Sequence, residues 1–257
     1  MVPRNAERER RAQERIEARM IRRFEPRLRR AILSQIRGAV NAYEDGRPWE
    51  SAIHLGEDQI EREYERMYTE AYETIGARIA TALDDGSKSL RFERKELPEM
   101  FRRAMQAFVR RWTATQVTKV TSTTRVWIAA AVQRGIEEGL SVPEIGGRIR
   151  SHATTIAGWR ANTIARTEVH SAANAGAMEA AKESGRVRMK NWVHVNDPRT
   201  RDGDNGDFDH TNVESVPIDE PFIVDGEELM YPGDPSGSAG NIVNCRCAMT
   251  YELRGRE

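Results

Sequence analysis

The chain has 257 residues, room for one large or two ordinary domains, and 39% apolar residues, enough for a core without disulfide or membrane help. Lysine plus arginine and aspartate plus glutamate both total 40, so the net charge selects no partner; no run approaches the roughly 18 apolar residues of a bilayer span, and the start lacks a signal peptide's apolar core. The two cysteines, two residues apart, are too close for an ordinary disulfide and too few for an oxidised scaffold, which leaves metal ligation or reduced thiols packed in a core.

Residues 4 to 45 read as helix: Ile16, Met20, Phe24, Leu28, Ile32, Ile36 and Val40 recur every fourth position. Pro26 predicts a break or kink. The first 30 residues hold eleven arginines against five glutamates. Arg8, Arg11, Arg15, Arg19, Arg22 and Arg23 are the candidate contacts to DNA or to a partner protein, because arginine neutralises backbone phosphate and releases counterions. The interleaved glutamates blunt that attraction, and the competing reading is a solvated helix or one docked on an acidic protein surface.

A turn at Asp45-Gly46-Arg47-Pro48 precedes a second long helix carrying Ile60, Tyr64, Met67, Ala71, Ile75, Ile79 and Leu83, with Asp85-Gly86-Ser87 as its stop. A third helix is expected from Leu97 to about Val117, with Phe101, Ala104, Phe108 and Trp112 on one side. A separate helix with Val126, Trp127, Ile136 and Leu140 follows a Thr-rich start and closes at Gly139. Ser141 then caps a short helix, with Pro143 in its first turn and Glu144 at the capping-box position. A further helix spans about 161 to 184 and ends at Gly185; its repeated alanines imply close backbone approach.

After Gly185, Val-rich segments at 187–195, 213–218 and 222–224 alternate with glycine and proline punctuation. Residues 197 to 234 carry twelve carboxylates against Arg199 and Arg201, reversing the charge of the N-terminus. The fold expected is α+β: a mainly helical N-terminal region over 1–140, in outline an antiparallel bundle, and a small loop-rich α+β C-terminal module over 141–257.

Three pieces resemble, in order, the phage Mu F-like minor head protein family, also called the phage head morphogenesis family. They are the helix Thr163-Ile-Ala-Arg-Thr-Glu-Val-His-Ser-Ala-Ala-Asn174; the segment from Trp192 through Asp197-Pro-Arg-Thr-Arg201; and Val216-Pro217 to Phe222, followed by Tyr231-Pro-Gly-Asp-Pro235 and Asn244-Cys-Arg-Cys247. The motif residues are Arg166, Thr167, Glu168, Asn174, Trp192, Asp197, Arg199, Arg201 and Asn244. The resemblance implies a minor capsid protein of a tailed bacteriophage, made in the host cytoplasm and carried inside the head near the portal. Its implied partners are the portal protein and other head proteins, with packaged double-stranded DNA as a further one and no membrane. Head assembly or genome packaging and delivery is the implied role, and no catalysis follows from it.

The residues leave several chemistries open. Cys245 and Cys247 with His210, and His194 as a further imidazole, offer the thiolate and nitrogen ligands that zinc prefers, against buried thiols that only pack. Arg166, His170 and Asn174 fall on one helical stripe. They either hydrogen-bond the loops of the C-terminal module, with Glu168 pairing Arg199 or Arg201, or form a nucleic-acid-processing pocket. In that pocket His170 is acid or base, Glu168 assists and Arg199 stabilises phosphate charge. The carboxylates between Asp202 and Asp209 offer calcium ligands without EF-hand spacing, and are otherwise solvated. The expected function is structural rather than enzymatic; a nucleic-acid enzyme and a DNA-binding accessory head protein are the alternatives.

Overall fold

The computed structural model describes residues 4–54, 56–83, 98–204 and 208–254. In chain order the elements are α1 (Arg4–Glu44), α2 (Trp49–His54), α3 (Glu57–Leu83), α4 (Glu99–Glu137), α5 (Val142–Glu183), β1 (Val187–Val193), β2 (Val216–Pro217), β3 (Phe222–Val224), β4 (Glu227–Leu229), α6 (Ala239–Ile242) and β5 (Ala248–Leu253). Long helices followed by a small antiparallel strand region make this an α+β chain, as the periodicities predict. The expected stop at Asp85-Gly86-Ser87 and the start at Leu97 lie outside the described residues.

Turn chemistry sets several boundaries. Gly46, Gly139 and Gly185 take positive φ of 69°, 72° and 63° just after α1, α4 and α5, where an L side chain would be strained. Ser141 opens α5 through a capping box: its backbone N–H donates to Glu144 Oε2 at 2.7 Å, and its hydroxyl does so at 2.6 Å. That contact holds the Glu144 carboxyl below the usual range.

Three expected interruptions are absent. Helix α1 runs through Pro26, although proline removes an N–H donor and crowds the preceding turn at a cost of about 3 kcal/mol; the fully buried Phe24, Leu28, Ala31 and Ile32 on either side offset that cost. The two helices expected over 97–117 and 126–140 are one, α4. Its threonines stay helical by turning their hydroxyls back to the chain: Thr115, Thr118, Thr123 and Thr124 each donate to the carbonyl four residues earlier, at 2.8 to 3.1 Å. The short helix at Ser141 and the helix at 161–184 are likewise one, α5. Gly146 and Gly147 weaken it locally, but the buried Ile145, Ile149, Ala153, Ala157 and Ala161 secure the same stripe.

The chain forms two compact units. One comprises Met1–Met20, Met67–Phe108 and Arg166–Glu257; the other comprises Ile21–Arg66 and Val109–Ala165. Both gather segments distant in sequence, because α1, α3, α4 and α5 each contribute to both.

In the second unit the fully buried Phe24, Leu28, Ile32, Ile36, Ile53 and Ile60 form the core with Ile128, Ile145 and Ile149. Long polar side chains there are anchored, although Gln35 Oε1 and Thr113 Oγ1 are buried without a partner. Gln35 Nε2 donates to the Ile53 carbonyl and to Thr121 Oγ1 at 3.0 and 3.1 Å. The Arg160 guanidinium reaches Thr124 Oγ1 and the Val120 carbonyl at 2.7 and 2.8 Å.

In the first unit Tyr68, Tyr72, Phe101 and Phe108 pack edge-on or tilted with centroids 5.2 to 5.5 Å apart. The alanines at 172, 173, 175, 177, 180 and 181 are all buried, as close backbone approach requires. The sheet order is β2-β1-β5, antiparallel, with Trp192 opposite Met249 and Val193 opposite Ala248. Strands β3 and β4 form a separate hairpin through Asp225-Gly226, whose φ of 49° and 80° match the primed two-residue turn of twisted hairpins.

Strand β1 carries an unusual core residue. Lys190 is fully buried, donates to the Met230 carbonyl at 2.7 Å, and sits 4.8 Å from the Phe222 ring centroid. Burial pushes its ammonium down to about 8. An unfolded lysine titrates near 10.4, so between those values the unfolded chain binds more protons and stability rises with pH. Urea unfolding of the wild type and of Lys190→Met at pH 7.5 and 10.5 measures this. The wild type should gain on the order of 2–3 kcal/mol relative to the variant between the two pH values; parallel profiles would show that the lysine titrates normally.

Candidate functional site

The residues singled out by type and spacing meet mostly in the first unit, on the C-terminal part of α5 and the loops around β1 and β5. Cys245, Arg246 and Cys247 lead into β5. Side chains alternate along extended chain, so positions 245 and 247 face one way and 246 the other. Both cysteines are buried and free, whereas Arg246 turns to Asp197 in a bidentate pair, its Nη1 and Nη2 at 2.7 and 2.6 Å from the two carboxylate oxygens. Arg246 holds the Asp197 carboxyl well below the usual range, with help from the Arg199 backbone and side chain.

His210 reaches the cysteines because the acidic loop is closed at its base. Its N–H donates to the Arg201 carbonyl at 2.9 Å, and Asp202 and Asp209 form an antiparallel bridge. Its Nδ1 lies 3.5 Å from Cys247 Sγ and 3.8 Å from Cys245 Sγ. Ligand atoms of His210, Cys245 and Cys247 all fall within 4.8 Å of one another, and all three residues are buried. His194 does not join them: it is half-buried and lines a groove beside α1. The loop residues 205–207 lie outside the described residues; of the proposed calcium ligands around them, Asp202 accepts the Asp204 N–H and Asp209 accepts from Thr211, which are ordinary turn contacts.

The orientation of His210 follows from its neighbours. Asn241 Nδ2 donates to the Val224 carbonyl at 3.3 Å and also supports the Glu227 carboxylate. Its Oδ1 therefore faces His210 Nε2, at 3.0 Å, and Nε2 must carry the proton. In the neutral ring that leaves the lone pair on Nδ1, which is turned to both sulphurs. Trp192 packs edge-on against His210 and Phe222, centroids 5.5 and 5.3 Å away, and its buried Nε1–H has no hydrogen-bond acceptor.

Charge on the two thiols is shared. The Cys247 thiol, with His170 and His210, pulls Cys245 well below the ordinary range against the cost of burial. The neighbouring Cys245 and burial push Cys247 up, which the Trp192 indole opposes. Two adjacent buried thiols thus favour a single negative charge.

The stripe on α5 is occupied by protein partners. His170 is fully buried, which works against its charge, yet Glu17 on α1, with Oε2 3.0 Å from Nδ1, and then Cys245 push it up to about 10. Asn174 lies 3.1 Å from His170 Nε2 and accepts from Gln13 Nε2 at 3.0 Å. Glu168 accepts the Tyr68 hydroxyl at 2.5 Å. Thr167 Oγ1 accepts the N–H of Asn244, which takes a left-handed φ of 56° just before Cys245. Arg201 holds the Val243 carbonyl at 2.6 Å. Arg199 lies exposed beside Asp197, and Arg166 is half-buried. His170, Glu168 and Arg199 therefore turn to different partners. The cavity at the cysteines, lined also by Arg199, Arg201 and Asn244, measures about 20 Å³.

The N-terminal arginines behave otherwise. Arg8, Arg11, Arg15, Arg19, Arg22 and Arg23 are all exposed, and in the first unit 8, 11, 15 and 19 follow the three-and-four spacing of one helix face. Nearby glutamates are all engaged: Glu7 by Arg10 and by Arg11 of the face itself, Glu9 by Arg78, Glu14 by Arg10, and Glu17 by His170. A groove of about 970 Å³ beside this face is lined by Arg10, Arg11, Arg15, His194, Arg199 and Arg246, with Glu7, Glu14 and Asp197 as its acidic members.

Sequence reasoning missed three participants. Glu17 appeared only as a charge diluting the arginines, Asn241 carried no motif, and strand β5 showed no alternation.

Residues 126–250 match the family model described as phage Mu protein F like protein. Over 94 residues the chain is 35% identical to the uncharacterized protein YqbB of Bacillus subtilis (strain 168), an alignment covering 35% of this chain and 30% of that protein. The chain thus spans under a third of the length of that curated relative. No solved structure matches.

Proposed function

Because residues 126–250 form a phage Mu protein F-like region, we propose that the protein is a minor head component of a tailed bacteriophage, acting inside the head at the portal vertex in assembly or genome delivery. One observation supports a structural rather than catalytic role. The motif residues are spent on partners within the protein, Thr167 on Asn244, Asp197 on Arg246 and Asn174 on Gln13, and the cavity at the cysteines, about 20 Å³, is too small for a substrate. The exposed arginine face of α1 is the docking surface. None of the helices among the described residues is long and apolar enough to cross a membrane.

Pull-down with the cognate portal protein tests this. Deleting the N-terminal helices would remove α1 and α3 from the first unit, so the test uses the full chain with Arg8, Arg15 and Arg19 changed to glutamate. Binding by the wild type and loss in the variant are expected; equal binding would move the contact elsewhere.

A second reading, direct binding of packaged DNA, is favoured by the basic groove. Every arginine that neutralises a phosphate steepens the dependence of log affinity on log salt by about 0.9, so the triple variant should show a flatter slope. A slope unchanged by the variant rejects this reading. The enzymatic alternative predicts cleavage of labelled DNA or RNA that vanishes in Arg199→Ala, an exposed position that leaves the fold intact; such cleavage would overturn the structural role.

A further inference from the structure

We propose that Cys245, Cys247 and His210 bind one zinc ion, with a solvent molecule as the fourth ligand. The donor set is what zinc takes, two sulphurs and one imidazole nitrogen. The spacing also fits. Zinc–sulphur bonds of about 2.3 Å and zinc–nitrogen bonds of about 2.0–2.1 Å at a tetrahedral angle place sulphur and nitrogen about 3.5–3.6 Å apart; here Nδ1 stands 3.5 and 3.8 Å from the two sulphurs.

The surroundings hold the ligands as a metal site requires. Asn241 takes the Nε2 proton of His210 and so keeps Nδ1 bare and aimed, the outer contact that ligating histidines commonly make. The Trp192 Nε1–H is buried without an acceptor, and a metal-bound thiolate at Cys247 would offer it one. Among the described residues these three are the His, Cys, Asp or Glu groups close enough to share an ion, so a fourth position falls to solvent. A cavity of about 20 Å³ lined by all three admits it, because one water needs only about 10–15 Å³.

The rival chemistry for such a constellation, a cysteine nucleophile with histidine as base and asparagine as orienter, needs room for a substrate, which that cavity denies. On binding, each sulphur bonds the metal as a thiolate and every thiol proton still present passes to solvent, while His210 binds through a lone pair and releases none. The ion ties the base of the acidic loop to the lead-in of β5.

The test uses the full chain purified without chelator, with metal measured by mass spectrometry. Near one zinc per chain is expected, lost in Cys247→Ser and in His210→Ala, with affinity about 10–100-fold weaker in Asn241→Ala. Should these variants fail to fold by circular dichroism, the wild type decides alone. After chelator treatment and cobalt addition it should show the intense near-ultraviolet band of thiolate-to-cobalt charge transfer and the visible bands of a tetrahedral site, and its melting temperature should rise with zinc but not with magnesium. A wild type that neither retains zinc nor takes it up, zinc retained unchanged in folded Cys247→Ser and His210→Ala, or cobalt bound without the thiolate band would each overturn the proposal.

Discussion

Gly176→Ala is expected to lower the unfolding free energy by about 3 kcal/mol, the upper end of what overpacking usually costs. Helices α3 and α5 approach each other through glycines in the first unit. A methyl on residue 176 would run into the Tyr72 carbonyl oxygen, with the Tyr72 carbonyl carbon and Cα both at 2.9 Å, and a Cβ on Gly76 would lie 3.0 Å from the Gly176 carbonyl oxygen and 2.7 Å from Phe101 Cε2. Backbone cannot swing aside as a side-chain tip can, so the helices must separate or bend. Gly147 is the control. It lies within the same α5, nothing stands within 4 Å of its would-be Cβ, and alanine there should stabilise by about 0.5–1 kcal/mol through helix propensity. Urea unfolding of both variants measures the contrast. Equal shifts, or a neutral Gly176→Ala, would mean that the crossing is looser than the distances indicate.

The alanines flanking Gly176 announce such a crossing in the sequence, and the fourfold recurrence from Ile16 to Val40 announces α1. What local patterns overstate is interruption. Pro26, the Thr-rich start at 126 and the short helix capped by Ser141 all read as breaks in longer helices, because propensity is a local quantity while burial of Phe24, Ile128 and Ile149 is a tertiary one. Strands β4 and β5 escape notice for the opposite reason. Ala248-Met-Thr-Tyr-Glu-Leu253 shows no alternation, and its register comes from pairing with β1.

The candidate centre was legible by residue type, not by geometry. Cysteines at i and i+2 with His210 suggest ligands, but what brings His210 to the sulphurs, and leaves His194 aside, is the closed base of the 202–209 loop, and its aim comes from Asn241, contributed by a four-residue helix with no motif. Likewise the stripe of Arg166, His170 and Asn174 was visible as a helical spacing. The buried carboxylate it meets, 153 residues earlier in the chain, was not.

That carboxylate carries the second large effect. Glu17→Ala is expected to cost about 3–5 kcal/mol, the loss typical when one member of a buried ion pair is removed and the other is left uncompensated. Glu17 and His170 have side chains only 10% and 4% exposed. The carboxylate also accepts from Gln13 at 2.8 Å, and Gln13 in turn reaches Asn174, so truncation frees donors on both helices. Glu17→Gln keeps the shape and an acceptor but loses the charge; its smaller loss relative to Ala would separate hydrogen bonding from ion pairing. In a double-mutant cycle with His170→Ala the pair should lose less than the sum of the singles, because removing both leaves no unpaired charge. Additive losses would show that the two groups do not interact. The cycle also bears on function. Glu17 stands on the same helical stretch as the exposed Arg8, Arg15 and Arg19, and His170 within the Mu F-like region, so this contact anchors the arginine face to the part of the chain that the family match covers. Portal binding that survives in Glu17→Gln but fails in Glu17→Ala, with the arginines untouched, would mean that the face works only when it is held in place.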